Sequence, residues 1–162
     1  MSLDFPQASN GARWELLSDR VMGGISSGGL TRETVAGRKA IRLQGEVSLE
    51  NNGGFIQMAL DLDPSGAAID CRAFTGIEIE AAGNDETYGL HLRTTALERP
   101  WQSYRQTFRA GRAWQSISLP FAGFVPHRTP AAFDAGHLRR LGLVAIGRAF
   151  SADLALAAIR FY

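Results

Sequence analysis

The chain has 162 residues, a hydrophobic share of 45% and a formal net charge of +1. That length fits one domain with a proper core, so a single domain over 1–162 is expected, and the near-neutral balance excludes the basic footprint of a nucleic-acid binder. Cys71 is the only cysteine, which excludes an internal disulfide and reads as a small buried hydrophobe.

In chain order, the opening Met1-Ser-Leu-Asp-Phe-Pro6 has neither a basic segment nor an apolar run, so no secretory signal is expected. No apolar stretch approaches the ~20 residues of a membrane span. A cytoplasmic protein without direct membrane insertion is the expectation. Trp14 to Ser26 follows, with an aromatic anchor, Asp19, Arg20, Met22 and the pair Gly23-Gly24 in a segment too irregular for a helix. Asp19 there reads first as a turn former bonding backbone N–H groups, ahead of a metal ligand or a partner for Arg20. The run Gly23-Gly-Ile-Ser-Ser-Gly-Gly29 has neither P-loop nor dinucleotide spacing. It reads as a tight loop whose glycines take positive φ.

Alternating runs then dominate. Ala40–Gln44 and Glu46–Glu50 alternate, and Asn51-Asn-Gly-Gly54 predicts a hairpin joining the second to Gly54–Leu60. Gly76–Glu80 places Ile77 and Ile79 inward with Glu78 and Glu80 outward. In Tyr88–Arg93, Gly89, His91 and Arg93 share the face opposite Tyr88, Leu90 and Leu92. Further strands are expected at Ser103–Arg109, Trp114–Leu119, Leu141–Ile146 and Ala152–Tyr162. Turns are expected near Asp70–Phe74 and Ala131–Arg139, and Phe121–Leu138, with Pro126 and Pro130, reads as a long irregular connection. This spacing predicts an all-β jelly-roll sandwich with little helix.

The chemistry is sparse. His91, His127 and His137 have no zinc spacing, no serine sits in a nucleophile elbow, and no acid/base pair is legible, so neither an enzyme, a cofactor nor a metal is expected. Trp14 and Trp114 each lead into an apolar run and should pack inside. Trp101, in Leu97-Glu-Arg-Pro-Trp101, reads as a loop residue able to stack on a sugar or anchor in a partner. Tyr104 and Phe108 share one strand face, whose direction the sequence leaves open.

Trp14 with Ser18-Asp-Arg-Val-Met-Gly-Gly-Ile-Ser26 resembles the opening signature of the complex I intermediate-associated protein 30 family. Gly45 to Phe55, Tyr88 to Thr94, Tyr104 to Phe108, Trp114 with Leu119-Pro-Phe121, Leu141-Gly-Leu143 and Ile159-Arg-Phe-Tyr162 resemble its later pieces in order. The resemblance implies a galactose-binding-domain-like jelly roll and a non-catalytic assembly role for respiratory complex I, exercised through protein partners. The candidate binding residues are Asp19, Arg20, Met22, Gln57, His91, Arg93, Trp101 and Tyr104. The alternative ligand is a carbohydrate held on the concave sheet face by Gln57, His91, Arg93 and nearby aromatics.

Overall fold

A computed structural model describes residues 2–4 and 13–162, so Met1, Phe5 and Pro6 of the opening segment read for a secretory signal lie outside the described residues. The architecture is a sandwich of two antiparallel sheets. The strands are β1 (Ser2–Asp4), β2 (Trp14–Ser18), β3 (Ser27–Val35), β4 (Arg38–Val47), β5 (Phe55–Asp61), β6 (Gly76–Gly83), β7 (Glu86–Thr94), β8 (Ser103–Ala110), β9 (Gln115–Pro120), β10 (Val125–His127), β11 (Leu138–Ile146) and β12 (Phe150–Phe161). The first sheet runs β3-β4-β12-β6-β9, with β1 added to the far half of β12, and the second runs β10-β8-β7-β11-β5-β2. Sequence neighbours lie in different sheets repeatedly, which makes the topology a jelly roll rather than a meander.

Alternation builds the core. Leu43, Ile79 and Leu154 from the first sheet meet Met58, Leu90 and Leu143 from the second, all fully buried. Full burial of such a side chain contributes about 1.5–3 kcal/mol. The Tyr88 hydroxyl ties the layers together: it donates to Asn84 Oδ1 at 2.6 Å and accepts the Asp153 N–H of β12 at 2.8 Å. Cys71 is also fully buried, and burial pushes its thiol up to about 11. On the outer face of the first sheet, Glu78 and Glu80 pair with Arg160, and Glu80 also with Arg38.

Four expectations are corrected. β4 and β5 are not a hairpin: they belong to opposite sheets, and Asn51 and Asn52 lie in a 3-10 turn at Glu50–Asn52 that, with Gly53 and Gly54, carries the chain across the sandwich. The two alternating runs between residues 40 and 50 are one strand, β4, which ends at Val47. Of the glycines in the 23–29 run only Gly23 has positive φ, at +87°. Gly28 and Gly29 are extended in β3, and Gly28 faces Gly45 so closely that a Cβ on Gly45 would stand 2.5 Å from the Gly28 Cα. Trp114 is half-buried, its Nε1–H donating to the Val35 carbonyl at 3.0 Å and its ring under Arg38, because it precedes an edge strand and lies outside the layers. The turn expected over residues 70–74 is present as a single one, closed by the Phe74 N–H donating to the Cys71 carbonyl.

The long connection after β9 is largely irregular, as the prolines dictate, with 3-10 turns at Phe121–Gly123 and Ala135–His137 and one short strand, β10, on the edge of the second sheet. Its Phe133 ring packs against Tyr104 and Phe121, each at 5.3 Å between centroids, and closes one end of the core.

Candidate functional site

Asp19 organises the first candidate surface. Its carboxylate is fully buried at the start of the 3-10 turn Asp19–Met22. It accepts the Ser26 hydroxyl at 2.5 Å, the Ser26 N–H at 3.0 Å, the Gly54 N–H at 2.5 Å and the Phe55 N–H at 3.2 Å. Burial raises its pKa, but these four donors outweigh it and hold the carboxylate below its ordinary value. A Cβ on Gly24 or on Gly53 would meet the carboxyl group at 2.5 Å, so both glycines are required for the backbone to close over the charge. Arg20 is no partner of Asp19: it is exposed, and its Nε–H donates to the Ser26 carbonyl at 2.9 Å.

This lock holds two loops against each other and leaves apolar side chains on their outside. Val21 is 77% exposed, Met22 58%, Ile25 44% and Leu49 51%. The Leu49 side chain is close enough to touch a Cβ on Gly54, which joins it to the same corner. Large apolar groups held outward on a rigid loop pair form a surface suited to a protein partner.

The second surface is the outer face of the second sheet. Register sets its rows: His91 stands between Arg105 of β8 and Gly142 of β11, Gly142 opposes Ala59 of β5, and Val144 lies between Gly89 and Gln57. Gly89, Gly142 and Ala59 put almost no side chain on this face, and these positions and Val144 are themselves buried. Two planar groups lie over them. The His91 ring leans across Gly89, 3.0 Å from where a Cβ would stand, and the Gln57 Oε1 leans across Gly142, 2.5 Å from the same position there. Neither side chain hydrogen-bonds another described residue.

Arginines surround this face. Arg105 is half-buried, donates through Nε to Ser103 Oγ at 2.8 Å and meets no carboxylate among the described residues. His91 is held neutral, at about 3, first by desolvation and then by the charges of Arg105 and His127. Desolvation, then Arg105 and Arg128, lowers His127 as well, and desolvation with Arg128 lowers Arg105. Arg128 holds a left-handed φ of 56° at this corner. A bulge between Leu138 and Arg140 puts Arg139 out of register, and its Nε is buried without a hydrogen-bond partner among the described residues. Arg140 is neutralised by Asp61 and Glu15.

Arg93 lies on the same face, but its Nη1 donates to the carbonyls of Arg99, Pro100 and Gln102, pinning the loop that carries Trp101. Trp101 is 52% exposed at that rim. Tyr104 points the other way: it is fully buried, with its hydroxyl on the Ala131 and Ala132 carbonyls. The eight candidates therefore divide. Asp19 and Tyr104 are interior groups closed to any ligand; Arg20 and Met22 lie on the loop corner; Gln57, His91, Arg93 and Trp101 gather on or beside the sheet face. Arg105, Val21, Ile25 and Leu49 are additions. Alternation from buried Tyr104 would have turned Arg105 outward, but its place beside His91 depends on strand register.

Among the described residues no group of three or more His, Cys, Asp or Glu is arranged to hold a metal ion. No helix of the described residues is long and apolar enough to cross a membrane.

A family model described as complex I intermediate-associated protein 30 matches residues 3–156. No curated protein matches the chain. Among solved structures, similarity is found to a family 11 carbohydrate-binding module from Clostridium thermocellum in complex with a β-1,3-1,4-mixed-linked tetrasaccharide, at 10% identity and a TM-score of 0.76, over 98% of this chain and 91% of that one. A family 30 carbohydrate-binding module of a cellulosomal cellulase of Clostridium thermocellum is similar at 14% identity and a TM-score of 0.70, over 99% and 97%. Part of an exo-β-agarase is similar at 12% identity and a TM-score of 0.64, over 99% of this chain and 24% of that one. At such identities the likeness shows the jelly-roll fold.

Proposed function

The chain belongs to the complex I intermediate-associated protein 30 family, and from that membership we propose that it is a non-catalytic interaction module that docks a protein, in the manner of an assembly factor holding a subunit or intermediate of respiratory complex I. The carrying observation is the loop corner of Val21, Met22, Ile25 and Leu49, exposed and apolar on a backbone fixed by Asp19. A mobile apolar loop would lose ordering entropy on docking; a locked one does not. Truncating side chains that become buried at the centre of an interface weakens it, and a few such residues carry most of the binding energy.

The test separates folding from docking. Tagged wild-type protein and a Val21→Ser/Met22→Ser variant are used to capture partners from gently solubilised cells. Complex I subunits should be enriched by the wild type and lost in the variant, with the melting temperature unchanged. Equal capture of those subunits by both proteins would remove the corner as the docking surface.

A second reading, carbohydrate binding on the outer face of the second sheet, is favoured by one observation: His91 and Gln57 present planar groups without partners among the described residues over Gly89 and Gly142. It ranks second because the ring on this face, Phe55, lies beside Ile146, one row beyond Gln57 and away from His91, where a neutral sugar would need to stack.

A further inference from the structure

We infer that the outer face of the second sheet binds an acidic saccharide, with Arg105 receiving its carboxylate and His91 and Gln57 its neighbouring hydroxyls. The inference rests on the second reading above and leaves the loop corner untouched. That corner follows Ser18 of β2 and precedes Phe55 of β5, whereas Arg105 lies on β8, separated from β2 by β7, β11 and β5.

Three observations carry it. The first is Arg105, a planar fork of donors that is half-buried beside an imidazole and has the Ser103 hydroxyl as its hydrogen-bond partner among the described residues. Elsewhere on the sheets, Arg42, Arg140 and Arg160 each meet two carboxylates. Arg105 meets none among the described residues, so its charge stands beside His91 without a described carboxylate to balance it. Arg93 and Arg139 add positive charge at the same end: Arg93 is occupied by backbone carbonyls, and Arg139 keeps a buried Nε without a partner among the described residues.

The second observation is the neutral pair. A neutral imidazole offers one donor and one acceptor, and a carboxamide offers both, which matches hydroxyl groups that donate and accept at once. The carboxylates of an acidic peptide would bring acceptors only to those positions. The third is the span. From Arg105 on β8 to Gln57 on β5 is three strand spacings, about 15 Å, which suits a short oligosaccharide rather than a lone ion. The arginines favour an anion over a neutral glucan: Phe55 shares this face with Gln57, but it lies beside Ile146 on β5, three strands from Arg105.

The experiment is a calorimetric and NMR titration of the whole chain with uronate trimers of the galacturonate and mannuronate types. Cellotriose, maltotriose and a triglutamate peptide serve as comparators. A uronate trimer should bind at least about tenfold more tightly than either neutral trimer, shift the Gly89, His91 and Gly142 resonances, and weaken as salt is raised. Arg105→Gln should cost about tenfold in that affinity with the fold retained, and Gln57→Ala should weaken it independently. Neutral trimers binding equally well would overturn the acidic assignment while sparing the carbohydrate reading. Binding of no saccharide would overturn both, and triglutamate binding in preference would give the face to a peptide.

Discussion

Asp19 shows how one residue can organise a motif without touching a ligand. Its carboxylate gathers donors from Ser26, Gly54 and Phe55, which lie 7 to 36 positions away in sequence. Asp19→Ala leaves those buried N–H groups without an acceptor and should cost about 3 kcal/mol or more, measured by denaturant unfolding. Its effect on stability should exceed its effect on any binding; a normal melting temperature with lost partner capture would reverse that assignment. Because the folded pKa is lowered, this stabilisation is present above the unfolded value, about 4, and is lost as pH falls through the folded one. Asp19→Asn should therefore flatten the acid limb of the stability profile.

His91 has the opposite chemistry and the same sign. Its folded pKa, about 3, lies below the ordinary 6.5, so between those values the unfolded chain binds the extra proton and stability falls as pH falls. Arg105 and His127 face the ring and strengthen the effect. His91→Gln should reduce the loss of stability between about pH 6 and pH 4, followed by thermal melts across that range.

At the scale of elements, strands were readable where one face is buried. Ile77 and Ile79 alternate with Glu78 and Glu80, and the structure places the first pair inside and the second among arginines. Alternation failed where glycine carries no polarity signal. β3 begins with Ser27-Gly28-Gly29 and reads as a loop, yet Gly28 sits where β3 and β4 approach closely. A Cβ on Gly45 would stand 2.0 Å from the Ser27 carbonyl oxygen, so Gly45→Ala should cost about 3 kcal/mol or more. Gly29→Ala meets nothing within 4 Å and should stay within about 0.5 kcal/mol. Equal melting temperatures for the two variants would sink this account of the close approach.

At the scale of the whole molecule, Cys71 reports on the integrity of the sandwich. It is fully buried and its thiol is pushed up to about 11, so the reactive thiolate is scarce in the native state. Labelling by a thiol reagent should follow global opening and accelerate with denaturant in parallel with unfolding. Fast labelling of the native protein would mean that the end of the sandwich near Cys71 opens locally.

The sequence by itself determined the fold class, the inward and outward faces of strands such as β6 and β7, and the family, because each rests on local pattern: period-two alternation, turn residues and ordered short motifs. The tertiary structure decided the rest. Which strands pair, and therefore that β4 and β5 part into opposite sheets, depends on contacts between distant segments that no local pattern records. The same holds for the functional surfaces. Asp19 became an interior lock and Tyr104 a core residue, while Arg105 joined His91 only through the register of β7 against β8. A side chain's neighbours across a sheet are set by register, and register is a property of the packed whole.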